Sequence, residues 1–276
     1  PAPAVAVPPI PPLFERPMPA RCHRPDPQQA ASRLLGLGLL LQLAWLTPTA
    51  TLAAPASSPA AGLQLDQTRL RAVAGEPPAP GSVREAQDLA ILDWLKRFRS
   101  PEIVAATWLL LDRSLNAFNN AVGAELGHPT PVLSAGLQAF MAPVNSAYRA
   151  IKAQRTRLRP YIAHPELQPC LPPENTPSFP SGHAVWFRTT AELLADLLPE
   201  RRLRLEQVGR QGGANRVLCG VHYPSDVDAG QRLGAAAAQQ IIASPQWRAF
   251  RRDPALQAEL TRLRSVPEAS LPPLLR

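Results

Sequence analysis

Little in this sequence can stack on a nucleobase. Aromatic residues make up 5% of its 276 positions. Without them a single-stranded nucleic acid finds no stacking platform, so nucleic acid is not an expected partner. Lysine is nearly missing too: Lys96 and Lys152 stand alone against a background of arginine. A lysine kept where arginine is the default marks a place for a compact point charge rather than a planar fork. Cysteine occurs three times, at Cys22, Cys170 and Cys219, an awkward count for an exported chain because one thiol is left over. No His, Cys, Asp or Glu residues cluster at metal-ligand spacing, so no metal and no other cofactor is expected. Alternating strand patterns are almost absent. No apolar run reaches the roughly 20 residues that a spanning helix needs.

Proline, in contrast, is abundant, with 34 residues, densest before position 60. Proline removes backbone donors and blocks helix interiors, so little packed structure is expected there. Residues 34–46 form a short apolar run, Leu34 to Leu46, preceded by Arg24 and Arg33 and followed by small residues around Thr51-Leu52-Ala53. This has the layout of a secretory signal with its cleavage point; the alternative is a buried helix of the mature chain. Pro1 to Pro17 fits neither signal nor domain, and a start at Met18 would give a leader of ordinary length that carries Cys22 away with it. The expected divisions are an N-terminal extension and signal over 1–54 and a Pro/Ala-rich linker or arm over 55–84. A folded domain over 85–265 and a tail over 266–276 follow.

Within the domain, apolar residues recur at helical spacing. Leu89, Leu92, Leu95 and Phe98 form one set, Val104, Trp108, Leu111 and Leu115 a second, and Leu137, Phe140, Val144 and Tyr148 a third. Ala184 to Leu198, Asp226 to Ala243 and Ala255 to Leu263 read the same way. The expected fold class is all-α, a single helical bundle.

Three blocks carry chemistry: Lys152 to Arg159-Pro160, Pro180-Ser181-Gly182-His183, and Asn215-Arg216 through His222 to Asp226. Taken singly, each has a plain explanation: a solvated basic face, a turn with an N-cap, and a capped helix beside a packed histidine. Taken together, they supply three cations (Lys152, Arg159, Arg216), two histidines and a carboxylate. Ser181 and Gly182 sit beside an expected helix start, whose free N–H groups favour a tetrahedral anion. Arginines and a lysine can neutralise a phosphoryl group without metal. One histidine can attack phosphorus while the other protonates the leaving oxygen. Asp226, four residues after His222, is placed to accept from Nδ1 and leave Nε2 free. The net charge of +8 and the pI near 10.4 suit an anionic partner, although a general drift toward arginine explains them equally well.

Lys-x6-Arg-Pro, Pro-Ser-Gly-His and Arg-x5-His-x3-Asp, in this order and spacing, resemble the signature of the type 2 phosphatidic acid phosphatase superfamily. That superfamily includes vanadium haloperoxidases, membrane lipid phosphatases and class A bacterial non-specific acid phosphatases. The similarity is strongest to the last group, from Lys152 to Leu233. The resemblance implies a helical bundle of the acid phosphatase and haloperoxidase type and a phosphomonoesterase whose partners are small-molecule phosphate esters. By position it implies His222 as nucleophile, Asp226 as its orienting group and His183 as acid, then base. Lys152, Arg159, Arg216, Ser181 and Gly182 would bind phosphate. Three positions depart from the family pattern: Asn215 for Ser, Arg155 for an aromatic residue and Tyr161 for Phe. None removes a catalytic group; they bear on substrate preference and rate.

With Cys22 lost in an exported leader, Cys170 and Cys219 are expected to pair in an oxidising compartment, closing a loop of about 50 residues. The alternative is two free thiols, with Cys219 buried as a small apolar residue. His23 falls in the leader, and His128 and His164 read as loop residues. The expected location is periplasmic or secreted, with no stable membrane insertion after signal removal. The competing functions are a membrane-associated lipid phosphate or pyrophosphate phosphatase, a vanadate-dependent halide oxidase, and an anion-binding protein without turnover.

Overall fold

The computed structural model describes residues 58–274 of the chain. The signal over 34–46, its cleavage point, Met18, Cys22 and His23 lie outside the described residues. Among those described, the structure is all-α: helices and short 3-10 turns, with no strand.

Proline, which discourages helix interiors, opens several of the helices here. Helices α1 (Gln67–Ala74) and α2 (Val83–Arg97) start at Asp66 and Ser82, whose side chains accept from the backbone N–H of Arg69 and Glu85. Helix α3 (Pro101–Trp108) opens on a proline behind the capping residue Ser100. A short α4 (Asn119–Val122) leads to the long α5 (Pro131–Ala153), and a single turn, α6 (Pro160–Ala163), follows. Next come α7 (Gly182–Leu197), α8 (Arg202–Leu218) and α9 (Pro224–Ala243). Finally, α10 (Pro245–Arg251) and α11 (Pro254–Arg264) are capped by Ser244 and Asp253. The first position of a helix needs no N–H and suits the fixed φ of proline, so these prolines set boundaries instead of breaking elements.

Helix α7 is the centre. It packs on α8, α9 and α5, and Phe187, Leu193 and Leu194 on it are fully buried. Each such side chain contributes about 1.5–3 kcal/mol by leaving water. The helices approach closely because glycine faces α7. A Cβ at Gly212 of α8 would lie 2.1 Å from the Phe187 ring, and one at Gly230 of α9 would lie 2.6 Å from the Ser181 carbonyl oxygen. This contact draws the start of α9 onto the start of α7, where the Ser181 N–H donates to the Asp226 carbonyl at 3.0 Å. Two of the three blocks are joined there.

The helical periodicity expected over 104–115 runs past the real helix. Helix α3 ends at Trp108, and turns follow before a 3-10 segment over Leu115–Phe118 that Ser114 caps. Helix α8 was not expected at all. Residues 58–84, expected as a linker or loosely packed arm, contain α1, whose Leu70 and Ala74 are fully buried in the main core. Arg232 of α9 donates to the carbonyls of Val73 and Ala74 and closes that end of α1. Beyond 265, Arg204 and Asn120 donate to the carbonyls of Pro272 and Pro273.

Candidate active site

The site lies where the start of α7, the end of α8 and the start of α9 meet, and the segment after α5 closes it. His222 precedes α9 and is 1% exposed. Its Nδ1 is 3.3 Å from Asp226 Oδ2. Arg159 Nη1 lies 3.0 Å from its Nε2 and also donates to the Val221 carbonyl. A guanidinium can only donate, so Nε2 accepts and the ring proton sits on Nδ1, facing Asp226. Burial first, then Arg159 and Lys152, push the His222 imidazole well below its usual pKa. It is therefore neutral, with a lone pair on Nε2.

Asp226 holds position as the third residue of α9, where its Oδ2 accepts from the Tyr223 N–H at 2.9 Å. Ser178 Oγ donates to the same oxygen. Burial pushes the Asp226 carboxyl upward, and Arg157 opposes it. All its side-chain partners donate, and the carboxylate is the form they satisfy.

Arg157 anchors this group. Its Nη1 donates to Asp226 Oδ1 at 2.8 Å and to Ser225 Oγ at 2.7 Å, and its Nη2 donates to Asp88 Oδ2 at 2.9 Å. The guanidinium stacks 3.8 Å from the Tyr223 ring centroid. Asp88, buried on α2, also accepts from the Ser225 N–H and hydroxyl.

His183, the second residue of α7, donates from Nε2 to the Leu111 carbonyl at 2.9 Å. Its Nδ1 thus faces the cavity, 3.9 Å from Glu174 Oε1. Burial and then Arg216 lower its pKa to about 4. Ser181 is the N-cap of α7 and its side chain accepts from the Ala184 N–H at 3.4 Å. Gly182 has no room for a side chain: a Cβ would be 2.9 Å from the Tyr148 ring. Tyr148 in turn accepts from Arg113 at 2.8 Å.

The expected cations converge. Arg159 Nη2 donates to Glu174 Oε2 at 2.7 Å, and Arg216 Nη2 pairs with Glu174 Oε1. Lys152 donates to the Pro177 carbonyl at 2.6 Å, and burial, then Arg159, lower its pKa to about 7. Burial would raise the Glu174 carboxyl, but Arg159, the two histidines and Arg216 override it and hold the pKa down at about 2. Two cavities open here. One, of about 620 Å³, is lined by Leu111, Pro172, Glu174, His183 and Arg216 among others. The second, of about 320 Å³, is lined by Tyr148, Lys152, Glu174, Gly182 and His183 among others. Arg113, Glu174 and His183 line both.

Cys170 and Cys219 are joined in a disulfide, and the Cys170 N–H donates to the Cys219 carbonyl at 3.1 Å. The bond ties the segment carrying Glu174 to the end of α8. His164 lies in the turn after α6, with Nδ1 3.5 Å from Glu166, and His128 lines a separate cavity that Arg113 also borders. No metal-ligand cluster and no helix long and apolar enough to cross a membrane occur among the described residues.

All eight expected catalytic and phosphate-binding residues thus lie in one region. Glu174, Arg157, Asp88, Ser178 and Arg113 were not expected there. Arg157 sits inside the first block between Lys152 and Arg159, and Asp88 interrupts an apolar helix face. Neither position marks itself as part of the site without its partner, and Glu174 carries no signal in the sequence.

Residues 132–250 match the model of the PAP2 superfamily. Over 135 residues the chain is 30% identical to a non-specific acid phosphatase of Salmonella typhimurium, covering 46% of this chain and 54% of that protein. Over 182 residues it is 25% identical to a non-specific acid phosphatase of Providencia stuartii, covering 62% and 73%. A 76-residue stretch is 38% identical to an acid phosphatase of Zymomonas mobilis, covering 28% of each. The chain spans about half the length of the Salmonella relatives it matches. It is also similar to the crystal structure of a transmembrane PAP2 type phosphatidylglycerolphosphate phosphatase from Bacillus subtilis, at 18% identity and a TM-score of 0.48, over 63% of this chain and 89% of that one. Residues 132–250 are therefore a PAP2 superfamily domain, and the chain is homologous, at modest identity, to bacterial non-specific acid phosphatases.

Proposed function

We propose that the protein is an exported acid phosphatase that hydrolyses phosphomonoesters through a phosphohistidine at His222, without a metal. The observation that carries this reading is the state of His222: neutral, buried, its proton directed to Asp226 and its Nε2 lone pair directed to the arginine side of the cavity.

Arg159 gives up its hydrogen bond to Nε2 and takes a non-bridging phosphoryl oxygen, together with Arg216 and Lys152. Nε2 attacks phosphorus and the P–O ester bond breaks. The leaving oxygen takes a proton from His183 Nδ1. Positive charge builds on the His222 ring, and Asp226 stabilises it. His183, now neutral, removes a proton from water, which attacks the phosphohistidine; inorganic phosphate leaves and His222 is neutral again. Three cations supply the electrostatic stabilisation that a divalent ion supplies elsewhere. The Cys170–Cys219 bond supports an oxidising compartment, and homology to non-specific acid phosphatases supports phosphate esters as substrates.

The test is turnover of a chromogenic phosphate monoester by the full chain before and after exhaustive chelation. Turnover that survives chelation and is blocked by vanadate is expected. Activity lost to chelator and restored by zinc or magnesium would contradict the metal-free reading, and no turnover at all would favour an anion-binding protein.

A further inference from the structure

The carboxylate of Glu174 has a position that the phosphatase reaction does not require. It lies between Arg159 and Arg216 and accepts from both, with His183 Nδ1 3.9 Å away. These are the groups that would hold and protonate a phosphoryl ester. One carboxylate does not satisfy them all. Arg216 is 2% exposed at its side chain, and its Nε and Nη1 are buried without a hydrogen-bond partner. Unpaired buried donors are costly, and a tetrahedral dianion brings more acceptor oxygens than Glu174 does.

Glu174 is also held in place by its backbone. The Tyr161 hydroxyl donates to the Glu174 carbonyl at 2.9 Å and accepts from the Glu174 N–H at 2.8 Å. Tyr161 is one of the three positions where the chain departs from the family pattern, and a phenylalanine there would make neither bond. Upstream, Leu171 is buried against Cys219 and Val221, beside the disulfide. The side chain itself is 32% exposed and borders both cavities, so the carboxylate can rotate outward while its backbone stays fixed. A group tethered in this way returns to its site at high effective concentration.

We propose that Glu174 is an affinity-setting residue: a tethered internal carboxylate that competes with the substrate phosphoryl group and with product phosphate for Arg159 and Arg216, held in register by Tyr161. The proposal rests on the reading of Arg159 and Arg216 as the phosphoryl seat. Every phosphate that binds must first displace Glu174, so apparent affinity is reduced by the fraction of molecules with the carboxylate turned away. The same competition hastens product release.

The experiment measures inorganic phosphate binding to the full chain by titration calorimetry, and KM and kcat for a chromogenic phosphate monoester. It compares the wild type with Glu174→Gln, Tyr161→Phe and Arg216→Ala. In Glu174→Gln, the phosphate Kd and the KM should both fall about tenfold or more, because nearly every molecule is then competent. In Tyr161→Phe both should fall by a smaller factor, with the carboxylate chemically intact. Unchanged or weakened phosphate binding in both variants, or a loss of kcat with KM unchanged, would overturn the proposal. The Arg216→Ala protein tests the seat separately and should lose phosphate binding. If it binds phosphate as the wild type does, the seat itself is wrong and the competition falls with it. If it loses binding while Glu174→Gln and Tyr161→Phe change nothing, the seat stands and the competition alone is rejected.

Discussion

Arg157 Nη1 lies 2.8 Å from Asp226 Oδ1, while the other arm of the same guanidinium lies 2.9 Å from Asp88. One buried cation thus lies between two buried carboxylates, and one of these orients the proposed nucleophile. Removing it leaves two uncompensated charges inside the protein. Arg157→Ala is expected to cost about 3–5 kcal/mol of stability, measured by urea denaturation. Arg157→Lys retains the charge and loses the two-armed geometry, so it should fold better and still lose turnover as Asp226 shifts. A stable, fully active Arg157→Ala protein would remove Arg157 from this role.

The catalytic blocks were legible in the sequence because their geometry is local. His222 and Asp226 are four residues apart, across the turn that opens α9, and Ser181, Gly182 and His183 begin one helix. The supporting residues were not legible because their partners are distant in sequence. Asp88 meets Ser225 across 137 positions, and Arg157 meets Asp226 across 69. Helix α8 was missed for another reason. Its buried face mixes Leu205, Val208 and Val217 with Asn215, Arg216 and the glycines Gly209, Gly212 and Gly213, which lie against α7, Val227 and Gln231. Hydrophobic periodicity does not register a face whose contacts depend on the absence of side chains. Tyr161 was visible as a departure, yet its bond to Glu174 could be seen only in three dimensions.

The close approach of α9 to α7 gives a second prediction. Gly230→Ala would place a methyl group 2.6 Å from the Ser181 carbonyl oxygen, a backbone atom that cannot rotate away. The helices must separate, at a cost of about 1–3 kcal/mol, and the Ser181–Asp226 backbone bond must lengthen. Thermal unfolding should show the loss of stability, and kcat should fall more than KM changes. An active protein of unaltered stability would show that this contact does not position the site.

The third prediction concerns pH. Lys152 must be charged to hold phosphate, and burial lowers its pKa to about 7. Above that value the free protein loses this cation, so kcat/KM should fall as pH rises through about 7 and recover as pH is lowered. His183 must carry a proton on Nδ1 to serve as acid, and its pKa is lowered to about 4, so a separate fall in kcat/KM is expected as pH rises through about 4. A bound phosphate dianion raises both values. Both shifts therefore favour acidic conditions. Lys152→Met should reduce kcat/KM at pH 5 by about 100-fold and flatten the limb near neutrality. A limb that stays in place in this variant would assign it to another group.

The account depends most on His222 becoming phosphorylated. The direct measurement incubates the full chain with a radiolabelled phosphate monoester, quenches in alkaline denaturant, and locates the label by peptide mapping. Label on His222 is expected in the wild type. More should accumulate in His183→Ala with a good leaving group, because water is no longer activated to clear the phosphoenzyme. None should form in His222→Ala. Label that persists in His222→Ala, or that maps to any other residue, would contradict the account.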